Sequence, residues 1–506
     1  MLQAQDISHT VGTVVVLAWL LLLYLWLHSH VKLVHGPETV QVPVWDKERK
    51  RVSSVSLAQL VRLNCASLSA RFLPTPYLPN GHFQTIFSGL TGRLGKKDVA
   101  YDRELLSLPD SGVLAIDWIN SAGAGAPILI IVHGISGSST DGYILDLIPE
   151  AVAKGFRLAV LNLRGCGGVA ITTPQLYSAS NTEDVRKAIE YIHTKNPGVA
   201  LIGIGFSLGA NILMKCVGED SCKSLLLASI SVANPYDLNV GSVMLHSTWI
   251  GREFYSRLMT FSLVALFKRH EKMFASPADS PREPIRLAAV LKSKYIADYD
   301  ESVTRRNYGF RNTSEYYRMG SCAQYIPDIA IPTLFLSDLN DPIVAPSVIP
   351  CADVLSNPNI ILATTRNGGH IGWYEGLLFP TRWYPKPVLE FSNTIVKAFE
   401  SLPHHERHHF KIRHSTKCSS AIYPLKKKHV TFEKEHSRLD SAESSCAPEK
   451  AGKAQKEQSW LEAYAGNSSA TDAPDRATTT YEYVGYAAGF VIALMAVKKS
   501  LVGRAK

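Results

Sequence analysis

The sequence is poor in cysteine, and its cysteines follow no recurring spacing. The eight cysteines are scattered over 506 residues, with no Cys-x-x-Cys pair and no spacing typical of metal ligands. These absences exclude a disulfide framework and a zinc site as organising features of the fold. We therefore interpret the cysteines as buried or tolerated thiols, and we expect neither a metal nor a cofactor.

Charge is also scarce, at 19% of residues, and no basic stripe is interleaved with aromatic residues. The formal net charge of +9 comes largely from clusters such as 426–429 and the last nine residues. We interpret it as surface and membrane-flank charge, and we expect no nucleic-acid partner. The hydrophobic content of 46% indicates a globular protein with additional apolar segments.

Long apolar runs are confined to the two ends of the chain. Residues 11–27 (VGTVVVLAWLLLLYLWL) form a run at the short end of what spans a bilayer, and no small-residue cleavage site follows. This pattern predicts an uncleaved anchor. Residues 483–497 form a second run, which predicts either a short tail anchor or an interfacial helix. We expect a membrane protein with one or two passes, in the endoplasmic reticulum or on lipid droplets.

The orientation of the chain in that membrane is left open by its charges. Basic residues at 47–51 favour a cytosolic main domain, whereas those after 497 favour a cytosolic C-terminus, and with two spans both cannot hold. Asn312 and Asn467 begin Asn-x-Ser sequons, which a lumenal domain would expose to glycosylation.

Between these runs, apolar strand-like segments alternate with helical segments. The run at 127–133 (PILIIVH) suits a buried parallel strand, and the alternation predicts a mostly parallel sheet with helices on both faces. The alternation breaks at about 234–331, which predicts a helical cap inserted over a pocket. The predicted division is an anchor over 1–35, a linker and lead-in over 36–100, the α/β domain over 101–402, a disordered tail over 403–480, and the possible membrane segment over 483–497.

The stretch Gly205-Phe-Ser-Leu-Gly209 lies between an apolar run and a helical pattern. Such a context is typical of a nucleophile elbow, in which glycines flank a strained turn and the serine hydroxyl stands clear at the end of a strand. The pattern predicts that Ser207 is a nucleophile. The following helix would direct its first N–H groups toward the charge that develops during acyl transfer.

A serine nucleophile in this architecture takes its acid and its base later in the chain, in the order Ser, Asp, His. Asp341 follows a predicted strand and precedes a proline, with Asp338 as its rival for the acid. His370 follows two glycines after the next predicted strand. The order predicts a triad of Ser207, Asp341 and His370.

The oxyanion hole would combine two backbone N–H groups. One belongs to Leu208, the residue after the nucleophile. The other comes from the loop His133-Gly-Ile-Ser-Gly137, where we expect Ile135 to be the donor. His133 is then structural and is not the base.

Several stretches in order give the chain a family resemblance. It resembles the membrane-anchored α/β-hydrolase-domain (ABHD) lipases, a group that includes the yeast medium-chain fatty-acid ethyl ester synthase/esterases. The resemblance covers roughly residues 70 to 400. The stretches that carry it are Asn80-Gly-His-Phe-Gln-Thr85, Asp110-Ser-Gly-Val-Leu-Ala-Ile-Asp-Trp118, His133-Gly-Ile-Ser-Gly137, Arg164-Gly-Cys-Gly-Gly168, Thr173-Pro-Gln-Leu-Tyr177, Gly205-Phe-Ser-Leu-Gly209 and Gly368-Gly-His-Ile-Gly-Trp373.

The resemblance implies an α/β-hydrolase fold and serine hydrolase activity on lipid esters such as monoacylglycerols, medium-chain esters or phospholipids. Ser207, Asp341 and His370 match the family's nucleophile, acid and base. Some relatives carry a His-x4-Asp acyltransferase-like motif, whereas Glu375 stands at that position here. Two alternatives to a lipid ester hydrolase stay open: an alcohol O-acyltransferase that forms medium-chain esters, and a catalytically idle membrane-tethered binding protein. The oligomeric state is not predicted.

Overall fold

The computed structural model describes residues 19, 29–94, 99–274, 283–407 and 410, and the fold is given for these residues. Its strands and helices alternate along most of the chain. The strands are β1 (Lys32–Val34), β2 (Gln41–Asp46), β3 (Arg51–Ser56), β4 (Asp102–Ser107), β5 (Val113–Ile119), β6 (Ile128–Val132), β7 (Arg157–Asn162), β8 (Leu201–Phe206), β9 (Ala228–Val232), β10 (Thr333–Asp338), β11 (Ile360–Thr365), β12 (Tyr374–Glu375) and β13 (Thr381–Arg382).

The helices fall into four groups along the chain: those before β4, those between later strands of the sheet, those of a long insertion between β9 and β10, and one after β13. The α-helices are α1 (Leu57–Asn64), α2 (Ala66–Ser69), α3 (Gly81–Leu94), α4 (Gly142–Ala153), α5 (Glu183–Lys195), α6 (Leu208–Asp220), α7 (Leu238–His246), α8 (Arg257–His270), α9 (Leu287–Lys292), α10 (Ile296–Tyr299), α11 (Arg305–Tyr308), α12 (Thr313–Gly320), α13 (Cys351–Ser356) and α14 (Pro385–Ser401). Short π-helical turns are Gly251–Ser256 and Asp300–Thr304, and 3-10 turns are Ser221–Lys223, Glu271–Phe274, Ala323–Asp328, Pro346–Val348 and His404–Glu406.

A nine-stranded sheet forms the centre of the fold, in the order β1-β11-β10-β9-β8-β6-β7-β5-β4. The six strands from β11 to β7 pair in parallel. Strand β1 is antiparallel at one edge, and β5 and β4 are antiparallel at the other. The prediction of a mostly parallel sheet is therefore confirmed.

The central strands are buried along nearly their whole length because helices cover both faces of the sheet. All five residues of β6 are buried, and they alternate between two apolar cores. Leu129 and Ile131 join the core that includes residues of α1, α4 and α14. Ile130 and Val132 join the opposite core, which includes residues of α5, α6 and the insertion. The sequence of such a strand does not alternate between polar and apolar residues, because neither face of the strand is exposed to water.

The segment predicted as a linker and lead-in, residues 36–100, instead contains strands and helices over its described residues 36–94, and this corrects the prediction of a linker. Just before it, β1 adds a strand to the central sheet, with Lys32 opposite Thr364. Strands β2 and β3 form a separate antiparallel hairpin. Helix α1 then buries Leu57 and Val61 in the main core. These short elements acquire apolar partners from the far end of the chain, so their local sequence resembles a linker.

The chain leaves the sheet after β9 and returns at β10, and the helices α7 to α12 lie between these strands. The cap predicted at about 234–331 corresponds to this insertion, whose residues 275–282 lie outside the described part. Several of its helices are short, and three of them, α8, α10 and α11, are continuous with π-helical turns.

Near the end of the described chain, the predicted disordered tail begins with ordered residues. Phe410 is buried, and its ring centroid lies 5.7 Å from that of Phe399 in α14. The rest of the predicted tail, the apolar run at 483–497 and, apart from Trp19, the apolar run at 11–27 lie outside the described residues. Within the residues that the structure describes, no helix has both the length and the apolar content needed to cross a membrane.

Candidate active site

Ser207 is the single residue between the end of β8 and the start of α6. Its backbone has φ 51° and ψ −122°, a left-handed conformation that costs a non-glycine residue about 1–3 kcal/mol. The flanking glycines have no room for a side chain. A Cβ at Gly209 would lie 2.2 Å from the carbonyl oxygen of His133, and one at Gly205 would lie 2.4 Å from the Cα of Ala210. The predicted elbow is thus present in its strained form.

Three of the predicted site residues form one hydrogen-bonded chain. The Oγ of Ser207 lies 2.9 Å from Nε2 of His370, and Nδ1 of His370 lies 2.7 Å from Oδ2 of Asp341. The side chains of His370 and Asp341 are 10% and 2% exposed, so little water competes for these contacts. A neutral imidazole that donates its Nδ1 proton to Asp341 has Nε2 free to accept the serine proton.

Asp341 is held by the backbone that follows it. Its Oδ1 accepts hydrogen bonds from the N–H groups of Ile343 and Val344, at 2.8 and 2.9 Å. The other oxygen, Oδ2, faces His370. Pro342, which has no N–H group, lies within this turn, and the turn fixes the direction of the carboxylate.

Asp338, the rival for the acid, does not contact His370 and instead organises the loop that carries it. Its Oδ2 accepts from the Thr365 hydroxyl and the Gly368 N–H, and its Oδ1 accepts from the Gly369 N–H. Burial raises the pKa of Asp338 to about 7. Between the two aspartates, Asp341 is therefore the one in position to orient the histidine.

The loop after β6 passes beside the serine, since a Cβ at Gly134 would lie 3.3 Å from the Cβ of Ser207. The N–H of Gly134 donates to the Tyr143 hydroxyl, and the N–H of Ser136 donates to the Tyr177 hydroxyl. Within the described chain, the N–H of Ile135 between them makes no hydrogen bond. It is thus available to a ligand.

The second predicted donor, Leu208, begins α6, where the first N–H groups of a helix have no partner within the helix. Both Leu208 and Ile135 line the same cavity as Ser207. The two N–H groups are therefore in a region where an oxyanion could be bound, and the helix dipole of α6 adds partial positive charge there.

His133 lies close to the site without joining it. Its ring is fully buried, its Nε2 accepts from the N–H of Leu163 at 3.2 Å, and its Nδ1 lies 2.7 Å from the carbonyl oxygen of Gly134. Burial lowers its pKa. These contacts agree with the structural role expected for His133.

The stretch Asn80-Gly-His-Phe-Gln-Thr85 carries part of the family resemblance, but its residue types alone indicate no chemical role. The Thr85 hydroxyl donates to Gly81 O and accepts the backbone N–H of His370 at 2.8 Å. Gln84 exchanges hydrogen bonds with the backbone of Tyr374. This stretch therefore supports the histidine loop. In the sequence, the only signal of this role is that the stretch belongs to the family pattern.

His82, in the same stretch, connects the site to the cap. Its Nδ1 lies 3.0 Å from the hydroxyl of Tyr255, and the two rings are stacked with centroids 5.7 Å apart. Burial lowers the pKa of His82, against the smaller opposing effect of Asp341. The cap and the 80–85 stretch thus meet at this contact.

A cavity of about 130 Å³ adjoins the serine, with the insertion forming much of its wall. Its lining is largely aliphatic and aromatic, contributed by the loop after β6, by cap helices and by the acid loop. Representative lining residues are Leu245, Met259, Leu263, Tyr299, Val344 and Val348. Such a lining suits a hydrocarbon chain. Among the residues that the structure describes, no group of three or more acidic, His or Cys side chains could hold a metal ion.

Comparisons with known proteins agree with this geometry. A family model described as the alpha/beta hydrolase fold matches residues 127–377. An abhydrolase domain-containing protein of Dictyostelium discoideum is 31% identical over 335 residues, which cover 64% of this chain and 81% of that protein. The chain belongs to the α/β-hydrolase family. This membership confirms the resemblance and the α/β-hydrolase part of the predicted fold class.

Two yeast members of this family are also similar to the chain. The monoacylglycerol lipase of Saccharomyces cerevisiae is 28% identical over 390 residues, covering 68% of this chain and 86% of that protein. The medium-chain fatty acid ethyl ester synthase/esterase 2 of the same yeast is 26% identical over 387 residues, covering 64% and 85%. The matches span most of each relative's length.

Proposed function

We propose that this α/β-hydrolase is a serine hydrolase that cleaves carboxylic esters of lipids through an acyl-enzyme. The observation that carries the proposal is the hydrogen-bonded chain of Ser207, His370 and Asp341, whose serine lines an apolar cavity. A carboxylic ester hydrolase is also the enzyme class that its lipase and esterase relatives support.

In the first half-reaction, Ser207 Oγ attacks the carbonyl carbon of the ester while its proton passes to Nε2 of His370. Asp341 holds the imidazole and stabilises its positive charge. The N–H groups of Ile135 and Leu208 bind the negative oxygen of the tetrahedral intermediate. The bond to the alcohol then breaks, the alcohol leaves with the proton from His370, and an acyl-Ser207 ester remains.

In the second half-reaction, water replaces the alcohol. His370 takes a proton from the water as its oxygen attacks the acyl carbon, and the fatty acid leaves as the Ser207 hydroxyl is restored. The acyl chain would occupy the apolar cavity in both halves. Monoacylglycerols and medium-chain acyl esters are the substrates we propose, in keeping with the yeast relatives.

The test compares wild type with Ser207→Ala on a monoacylglycerol and on a soluble short-chain ester. We expect release of fatty acid by wild type and a loss of roughly 10³-fold or more in the variant. Ser293→Ala, which removes a hydroxyl that donates to Ala289 O in the preceding helix α9, is the matched control and should retain activity. Wild type without activity on either ester would instead favour a catalytically idle binding protein.

Transfer of the acyl group to an alcohol is a second candidate, because it uses the same acyl-enzyme and one yeast relative is named as a synthase as well as an esterase. One observation opposes it. Glu375, at the position of the acyltransferase-like aspartate, pairs with Lys386 instead of standing free. Product analysis in water and in water with ethanol separates the two reactions: hydrolysis gives only acid, and transfer gives ethyl ester.

We further propose that the protein is held at a membrane by the apolar run at residues 11–27. Glycosylation at Asn312 would report on which side of the membrane the domain lies. Asn312 is exposed at the start of α12, and its Oδ1 accepts the N–H of Glu315. Asn312→Asp removes the sequon and keeps this N-cap. An endoglycosidase-sensitive mass that the variant lacks would indicate a lumenal domain.

A further inference from the structure

Exposed apolar side chains are concentrated on the outer side of the cap. Across residues 99–237, all of which the structure describes, Leu105 is the one large apolar residue that is exposed. The next 24 positions, 238–261, expose seven. We call these seven the cap face: Val240, Val243, Met244, Trp249, Phe254, Leu258 and Phe261.

The cap face follows the helical periodicity of two neighbouring helices. In α7, Val240, Val243 and Met244 are exposed, whereas Leu245 is buried. In α8, Leu258 and Phe261 are exposed. The other side of α8 buries Thr260, Leu263, Leu266 and Phe267. Both helices are therefore apolar on two opposite sides, whereas a helix that only covers a core needs one apolar side.

The end of α7 lies directly against the turn that leads into α8. Nε2 of His246 is 2.9 Å from Oγ of Ser256, and a Cβ at Gly251 would lie 1.9 Å from the carbonyl oxygen of Leu245. Leu245, Met259 and Leu263 line the cavity that contains Ser207. The cap face is thus the outer side of the same helices whose inner side lines the proposed substrate cavity.

The charges around the cap face have one predominant sign. Residues 238–274 contain five basic residues and two acidic ones, Glu253 and Glu271, a net charge of +3. Arg252 and Arg257 share the single partner Glu253. Basic residues beside exposed Trp, Phe and Leu side chains are typical of segments that bind anionic lipid surfaces.

We propose that the cap face docks onto the surface of an anionic lipid bilayer or monolayer, and so holds the proposed substrate cavity against the lipid that supplies its ester. Large exposed apolar patches mark binding surfaces, and the positive charge selects a negatively charged lipid surface as the occupant. The inference rests on the proposed lipid substrate. It adds a second membrane contact, independent of residues 11–27.

The first test is local and uses the full chain. Hydrogen–deuterium exchange is measured with and without vesicles that contain about one quarter anionic lipid. We expect slower exchange in peptides covering 238–261 when vesicles are present, and unchanged exchange in β4. Exchange in 238–261 that does not respond to vesicles overturns the proposal, even if residues 11–27 bind the vesicles.

The second test is catalytic. In the full chain, Val243→Glu is combined with Phe261→Glu, since these side chains are 69% and 72% exposed and their replacement leaves the core intact. The matched control is Leu105→Glu, at a position 63% exposed on β4. We expect the double variant to lose about tenfold in rate on a monoacylglycerol within anionic vesicles, and to stay within about twofold of wild type on a soluble short-chain ester.

The control should equal wild type on both substrates. An undiminished vesicle rate in the double variant overturns the docking proposal and leaves lipid ester hydrolysis intact. A wild type that cleaves neither substrate contradicts the proposed function itself, so the two failures are distinguishable.

Discussion

The Oγ1 of Thr85 accepts the backbone N–H of His370 at 2.8 Å, across a separation of 285 residues in the chain. Because the same hydroxyl donates to Gly81 O, its lone pair is directed at the histidine loop. Thr85 does not touch the reacting atoms. It fixes the backbone from which the imidazole extends toward Ser207 and Asp341, and is therefore a positioning residue.

Removing the Thr85 hydroxyl should misplace the imidazole without unfolding the protein. We expect Thr85→Val to lower kcat by about tenfold, equivalent to about 1.4 kcal/mol, with a smaller change in KM. Thr85→Ser keeps the hydroxyl and should restore most of the rate. Steady-state kinetics of the three proteins on a soluble ester checks this. A normal rate in Thr85→Val with a loss in Thr85→Ser would show that packing of the methyl group matters instead.

Asp341→Asn should keep the shape of the site and remove the charge that orients His370. The amide favours the wrong imidazole tautomer, so we expect kcat to fall by about 10³- to 10⁴-fold, as in other serine triads. The thermal midpoint should change little, because Oδ1 of the amide can still accept from Ile343 and Val344. A variant with near-normal kcat would exclude Asp341 as the orienting acid.

Asp338 should make stability depend on pH in a predictable direction. Burial raises its pKa from 3.8 to about 7, so the folded protein retains a proton there that the unfolded chain releases. The resulting stabilisation, up to about 4 kcal/mol, is fully present below pH 4 and is lost as the pH rises through 7.

Asp338→Asn is the test of that assignment, since the amide stays neutral at every pH. We expect the free energy of unfolding of wild type, relative to the variant, to decline between pH 4 and pH 7. Denaturant unfolding across this range measures the difference. Parallel pH curves for the two proteins would indicate that Asp338 is already ionised in the folded state.

Gly209, two residues after the nucleophile, offers a steric test of the elbow. A Cβ at Gly209 would lie 2.2 Å and 2.4 Å from the carbonyl oxygens of His133 and Val132. These are backbone atoms at the end of β6, and displacing them would distort the sheet. We expect Gly209→Ala to destabilise the fold by about 3 kcal/mol or more and to abolish activity.

Gly89 supplies the matched control, since it lies inside α3 and a Cβ there would meet nothing within 4 Å. Gly89→Ala should leave activity unchanged and stabilise the helix by up to about 1 kcal/mol. Thermal unfolding and ester hydrolysis of both variants test the pair. Similar behaviour of the two alanines would remove the steric argument for the elbow.

The sheet and the order of the site residues could be predicted because their signals are local. Strand β6 is a continuous apolar run, and Ser207 lies between two glycines at the junction of a strand and a helix pattern. His370 follows a glycine pair after a strand. Each of these features depends on only a few consecutive residues. The parallel sheet then brings the C-terminal ends of its strands to one edge.

What the sequence left undecided depends on contacts between distant segments. Asp338 and Asp341 lie three residues apart at the end of one strand, and only the turn through Ile343 directs Asp341 to the histidine. Strand β1 has three residues and pairs with a strand more than 300 residues later, so nothing local distinguishes it from a linker. The support from Thr85 is equally remote.

Acylation of Ser207 is the central claim, and peptide mass spectrometry after reaction with a fluorophosphonate ester tests it most directly. We predict a single phosphonate adduct on Ser207 in wild type, slower labelling in Asp341→Asn, and no labelling in Ser207→Ala. An unlabelled wild type, or an adduct on another residue that persists in Ser207→Ala, would contradict the account.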